Sequence, residues 1–239
     1  MTSPPLLQVE NVDSYYGTSH VLQGVSVSLD QGALSIVGRN GMGKTTLVKT
    51  IMGLVPARRG KILLQGEDIA SMKPYEIGAR GVGYVPQGRM LFPSLSVDEH
   101  LVLAARGGNG AGWNGEKVYE LFPRLKERAK LRAASLSGGE QQMLAIGRAL
   151  VTNPTLLIMD EPSEGLAPVI LDHLIETYQS LLETGISIFL VEQNLRTATS
   201  LVDELYIMIA GQIVSKVSGD ILVHDQQARE QYLGVKIKE

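Results

Sequence analysis

The run Gly38-Arg39-Asn40-Gly41-Met42-Gly43-Lys44-Thr45 fits the spacing G-x-x-x-x-G-K-[ST]. Its glycines let successive backbone N–H groups close on an anion, and the start of a following helix adds partial positive charge. Lys44 would then reach the β- and γ-phosphates of a nucleotide, while the Thr45 hydroxyl would coordinate Mg²⁺. Thr46 continues the same turn. The plain alternative is a glycine turn carrying an exposed lysine.

A second set of chemistry-bearing residues is Asp160-Glu161, directly after the apolar run Leu156–Met159. In open α/β sheets, ligands gather at the carboxyl ends of the strands. Asp160 is therefore placed to hold Mg²⁺, and Glu161 to polarise an attacking water as general base. The plain alternative is a helix N-cap at Asp160 with a solvated Glu161. A third set, Ser137-Gly138-Gly139-Glu140, has the Ser-x-x-Glu spacing of a capping box. A helix starting there carries partial positive charge at its N-terminus, and the two glycines leave N–H groups open to a phosphate.

These residues need elements to position them. Leu6–Val9, Val21–Leu29, Leu34–Val37, Lys61–Leu64 and Val82–Val85 read as strands, and Leu47–Leu54 as a helix after the glycine loop. Ser96-Val97-Asp98-Glu99 repeats the capping-box spacing and opens a helical stretch that includes Glu116–Arg132. Gly107–Gly115 reads as a flexible loop, with no function assigned to Trp113. Leu156–Met159 is a continuous apolar strand of a parallel sheet and Ile186–Val191 the next buried strand, with an amphipathic helix over Val169–Leu182 between them. Glu204–Ile209 and Gln212–Val217 flank a hairpin at Ala210-Gly211. The expected fold is α/β: a single domain, with a core near residues 1–88 and 151–239, antiparallel strands near the N-terminus, and a helical insert near 89–150.

Composition narrows the classes. The chain of 239 residues is 44% hydrophobic and 20% charged, enough to bury an ordinary core. It contains no cysteine, which removes disulfides, thiol catalysis and cysteine–zinc sites. Its net charge of −3 does not favour nucleic acid as a partner. No apolar run approaches the roughly 18 residues needed to span a bilayer, and Met1–Leu7 lacks the features of a secretory signal. His20, His100, His173 and His224 have no mutual metal spacing. Arg124, Lys126, Arg128, Lys130 and Arg132 spread around a helix and read as a solvated face.

With the phosphate loop and acidic pair in place, Leu136-Ser-Gly-Gly-Glu140-Gln141 resembles the signature motif of ATP-binding-cassette (ABC) ATPases. The resemblance covers essentially the whole chain, because the other motifs follow in order. It implies a P-loop core of the ABC ATPase type, with ATP and Mg²⁺ as cofactors. It also makes Tyr16 the aromatic that stacks on adenine, although Tyr15 competes for that role. Gln87 becomes the Q-loop glutamine that contacts nucleotide and Mg²⁺, and Glu161 the catalytic glutamate. In that family two such domains pair head to tail, so that ATP lies between the phosphate loop of one and Ser137–Glu140 of the other.

Val118–Glu127, Leu136–Leu150, Asp160–Pro168 and Leu190–Asn194 are similar to the LivF-type ATPase subunits of branched-chain amino acid importers, and much of this is shared with urea importer ATPases. The resemblance implies a cytoplasmic subunit, peripheral to the inner membrane. Its partners would be two membrane permease subunits and, indirectly, an extracytoplasmic solute-binding protein. A soluble ABC ATPase serving other machinery is the competing class. Three residues depart from the general pattern. Gln193 stands at the switch-histidine position and keeps a hydrogen-bond donor without a cationic form. Ala167 replaces the D-loop aspartate, and Met42 a small loop residue. The first two point to pairing with a different, histidine-bearing ATPase subunit, the alternative being a homodimer.

Overall fold

The computed structural model describes residues 4–105 and 112–227. The chain enters as β1 (Leu7–Tyr16) and β2 (Ser19–Leu29), then runs through β3 (Ala33–Val37), α1 (Lys44–Ile51), β4 (Ala57–Leu64) and β5 (Glu67–Asp68). After α2 (Pro74–Ala79) and β6 (Val82–Val85) come α3 (Val97–Ala104), α4 (Gly115–Leu121), α5 (Pro123–Glu127) and α6 (Gly138–Leu150). The rest is β7 (Leu156–Asp160), α7 (Pro168–Glu183), β8 (Ser187–Glu192), α8 (Leu195–Thr199), β9 (Glu204–Ile209), β10 (Gln212–Ser218) and α9 (Gly219–His224).

These elements form a four-stranded sheet in the order β2-β1-β4-β5 and a six-stranded sheet in the order β10-β9-β3-β8-β7-β6. The small sheet is antiparallel. In the large one β9, β3, β8, β7 and β6 are parallel, and only β10 turns back, through the hairpin at Ala210-Gly211. Parallel strands require crossovers that cover both faces, which is why β7 and β8 are buried along their whole length. One core joins Val9, Val25 and Ile62 of the small sheet to Leu47 and Ile51 of α1 and to Ile36 and Phe189. The other packs Val118, Phe122, Leu144 and Tyr178 on Leu157, Ile188 and Leu190 across the opposite face.

The topology puts the carboxyl ends of β6, β7, β8 and β3 side by side. The loops that follow them carry Gln87, Asp160-Glu161, Gln193 and the phosphate loop, so distant sequence segments open on one edge.

Several elements differ from the sequence reading. Strand β1 runs on past Val9 to Tyr16, because register shifts after Val9 and Val12 carry it along β2 without breaking the sheet. Helix α1 begins at Lys44 and closes on a Schellman pair, Leu54 N–H to Lys49 O at 2.8 Å and Gly53 N–H to Thr50 O at 3.1 Å. It therefore ends before Leu54. The expected helical segment Glu116–Arg132 is two short helices, α4 and α5, broken where Phe122 takes φ −127° and ψ 76° ahead of Pro123. Helices α2 and α8 were not expected; both are too short for periodicity to reveal. Of the loop at 107–115, residues 107–111 lie outside the described residues. Trp113 is anchored, its carbonyl accepting from Asn153 Nδ2 at 3.1 Å.

Candidate functional site

The phosphate loop links β3 to α1. Gly41 and Gly43 take φ of 80° and 105°, values that an L side chain resists, so the tight curl of N–H groups depends on glycine there. Arg39, Asn40 and Gly41 form an exposed rim, while Lys44 and Thr46 are buried. Lys44 Nζ donates to the carbonyls of Gly38 at 2.7 Å and Arg39 at 3.1 Å, and lies 2.8 Å from Glu161 Oε1. Met42 is held from outside the loop. Its carbonyl accepts from Gly211 N–H at 2.8 Å and its sulfur from Ala210 N–H at 3.3 Å. The β9–β10 hairpin thus braces the loop.

Three oxygens converge beside it. Thr45 Oγ1 donates to Asp160 Oδ1 at 3.0 Å and approaches Gln87 Oε1 at 3.5 Å. Asp160 is fully buried at the end of β7, and its second oxygen, Oδ2, has no hydrogen-bond partner. Burial pushes this carboxyl up to about 6, against the opposing pull of the Thr45 hydroxyl. A carboxylate with an unused oxygen beside a hydroxyl and an amide oxygen suits a hard, oxygen-seeking cation such as Mg²⁺. Among the described residues no cluster of three or more His, Asp or Glu could hold a metal. A cation here would therefore draw its remaining ligands from phosphate and water.

Glu161 is nearly buried and, unusually for glutamate, takes φ 47°. Its N–H bonds Val191 O at 2.9 Å, and Gln87 Nε2 donates to its Oε2 at 3.3 Å. Neither the N-cap at Asp160 nor the solvated Glu161 of the plain alternative is present. Gln193 is exposed on the loop after β8 and, with Glu161, Ser163, Glu164 and Glu192, lines a cavity of about 390 Å³. A cavity of about 480 Å³, lined by Asp30, Thr155 and Gly185, lies at the opposite, amino ends of the strands.

Two predicted groups stand apart. Tyr15 stacks on His20 with centroids 4.3 Å apart, whereas Tyr16 is 50% exposed, so of the two tyrosines the one with a free face is Tyr16. Ser137 caps α6 reciprocally: its Oγ accepts from Glu140 N–H at 3.3 Å, and Glu140 Oε2 accepts from Ser137 N–H at 2.8 Å. Among the described residues no hydrogen bond joins Ser137–Glu140 to residues 38–46. The two segments communicate only indirectly. Gln87 Nε2 donates to Glu164 Oε2 at 3.0 Å, Arg89 Nη2 donates to Glu164 O at 3.3 Å, and the Arg89 guanidinium lies over Gly138.

Sequence reading passed over three residues. Glu164 receives Gln87. Arg148 on α6 donates to the carbonyls of Met90 at 2.8 Å and Arg89 at 3.1 Å, tying that helix to the turn after Gln87. Glu192 is buried beside Gln193. The available signal was a carboxylate at the end of the apolar run Ile188–Val191, the same pattern that drew attention to Asp160.

The model of the family described as ABC transporter matches residues 22–164. The chain belongs to the ABC transporter family. It is an ATPase of that family and of the LivF type. The ABC ATPase is 41% identical over 232 residues to BraG of Pseudomonas aeruginosa, a high-affinity branched-chain amino acid transport ATP-binding protein, covering 96% of this chain and 100% of BraG. It is also 32% identical to LptB of Haemophilus influenzae, the ATP-binding protein of a lipopolysaccharide export system, covering 98% and 99% of the two chains. Its structure resembles the ADP conformation of the cassette MJ1267, with TM-score 0.82 and 28% identity over 97% of this chain and 99% of that one. No helix of the ABC ATPase among the described residues is long and apolar enough to cross a membrane.

Proposed function

We propose that this chain is the ATP-hydrolysing subunit of an importer for branched-chain amino acids, peripheral on the cytoplasmic face of the inner membrane and working on two separate permease subunits. The observation that carries the reading is the meeting of Lys44, Thr45, Gln87, Asp160 and Glu161 at the carboxyl ends of neighbouring strands. The 41% identity to BraG supports the choice of solute.

Residues Gly38–Thr46 wrap the phosphates of ATP, with Lys44 supplying the positive charge and the ring of Tyr16 stacking on adenine. Thr45, Gln87 and Asp160 would hold Mg²⁺, which when bound neutralises phosphate charge. Glu161 orients the water that attacks the γ-phosphorus and accepts its proton, while the Gln193 amide hydrogen-bonds the γ-phosphate. ADP and inorganic phosphate result. Ser137, Gly138, Gly139 and Glu140 serve the nucleotide of a partner cassette through the free N–H groups that open α6. The partner is a different ATPase subunit bearing histidine at the Gln193 position, so the two composite sites are unequal. A fully active, ATP-dependent homodimer of the purified chain would overturn that pairing.

The experiment is affinity purification of the Glu161→Gln chain with ATP from gently solubilised membranes of the native host. Two multi-spanning proteins and a second ATPase are expected, together with loss of leucine uptake in cells lacking the chain. Soluble partners alone would sink the transport reading. The similarity to LptB supports a second reading, in which the same cassette drives a membrane machine for another cargo. Intact leucine uptake with membrane partners present would favour it.

A further inference from the structure

Glu192 ends β8 and is 1% exposed, yet it forms no ion pair with a cation among the described residues. Its Oε1 accepts from Ser163 N–H at 3.0 Å, and its Oε2 from Gln193 N–H at 2.9 Å and Asn194 N–H at 3.0 Å. Tyr178 is fully buried within its electrostatic reach and has a hydroxyl without a partner. Burying an acid without a counter-charge costs stability, so an apolar side chain continuing the β8 run would be the cheaper choice for the fold. Capping of α8 does not account for it either, because Asn194 Oδ1 already accepts from Thr197 N–H at 3.4 Å.

What the carboxylate does is join two loops. Ser163 lies in the turn that holds Glu161 at φ 47°, and that turn is also tied to β8 by Glu161 N–H to Val191 O. Gln193 and Asn194 belong to the loop on the other side of the 390 Å³ cavity. We propose that Glu192 is a positioning residue for ATP hydrolysis, a buried bridge that holds the Gln193 amide in register with the Glu161 turn. It touches no substrate and acts through Gln193. The inference rests on the roles given above to Glu161 and Gln193.

Glu192→Asp separates the bridge from the local turn. The shorter carboxylate still accepts from the N–H groups one and two residues ahead, as an Asx-turn does, but cannot at the same time span to Ser163. In the complex purified with its partner ATPase subunit and supplied with Mg-ATP, kcat should fall about 10- to 100-fold, the cost of misplacing a reacting constellation by about an ångström. KM for ATP should stay at its parental value, while the Ser163 N–H left without its partner lowers the melting temperature by a few degrees. In a Gln193→Ala background the substitution should cost nothing further, because a residue acting through Gln193 has nothing left to position. Parental kcat in Glu192→Asp would overturn the proposal. So would a KM for ATP that rises as kcat falls, misfolding of the variant, or multiplying effects in the double variant. The complex carrying the parent chain serves as control: absence of ATP turnover there would bring down the proposed function itself, not the bridge alone.

Discussion

Lys44 Nζ and Glu161 Oε1 meet at 2.8 Å, both side chains almost wholly buried, one from the phosphate loop and the other from the turn after β7. The cation assigned to phosphate and the carboxylate assigned to water thus pair directly, so on the proposed reading a γ-phosphate would have to displace this ion pair to reach Lys44. Glu161→Gln keeps the shape and should leave ATP affinity intact while lowering turnover about 10²- to 10⁴-fold, the worth of a positioned general base. Lys44→Ala should instead weaken ATP binding about 10- to 100-fold, as expected for losing a charge-assisted hydrogen bond. Titration with a fluorescent ATP analogue, beside phosphate release, checks both. Parental turnover in Glu161→Gln would remove that residue from the chemistry.

Gly211 touches no nucleotide residue through a side chain, yet its N–H holds Met42 O. It sits at φ 79°, where an added Cβ would lie 1.8 Å from Val21 O. Gly211→Ala should destabilise the fold by at least about 1–3 kcal/mol and lower ATP affinity from outside the loop. Urea unfolding and nucleotide titration measure the two effects. Unchanged affinity in a folded variant would show that the hairpin does not brace the loop.

Ser137 offers a way to separate capping from function. Ser137→Ala should cost about 1 kcal/mol, the usual value of a lost N-cap. ATP binding by the isolated chain should be unaffected, since Ser137 makes no hydrogen bond to the phosphate loop of its own chain. Turnover by the assembled complex should drop. A variant that loses nucleotide affinity as an isolated chain would contradict this arrangement.

Asp160 sets a pH dependence whose sign follows from its burial. Its carboxyl titrates near 6 in the folded chain and near 3.9 when unfolded. Between those values the folded state binds more protons, so stability falls as pH rises through the window. The loss by pH 7 amounts to about 2–3 kcal/mol. Asp160→Asn should therefore be the more stable chain above pH 6, with the gain fading toward pH 4, while its turnover is lost. Urea denaturation at pH 4 to 8 tests it; an equal gap at both ends would show that the ionised carboxylate is not the source.

The parts legible in the sequence are those whose physics is local. The phosphate loop lies in one run, and both capping boxes, at Ser96 and Ser137, use partners three residues apart. The buried parallel strand β7 announces itself as an unbroken apolar run, Leu156–Met159. Periodicity overran at Phe122-Pro123, where the proline already contained the break, and missed α8, whose five residues hold too few turns to repeat.

Other relationships came only with the tertiary structure. Thr45 and Asp160 are 115 residues apart, and their contact exists because β3 and β7 flank β8 in one parallel sheet. Glu192 reads in sequence as the stray acid after an apolar strand. Its meaning depends on Ser163, which strand order delivers from the neighbouring turn. The sequence by itself determined which groups can bind phosphate, because that chemistry needs only a short run of backbone and its own side chains. The tertiary structure decided which acids stand beside them, because strand order, not sequence distance, sets which loops share an edge.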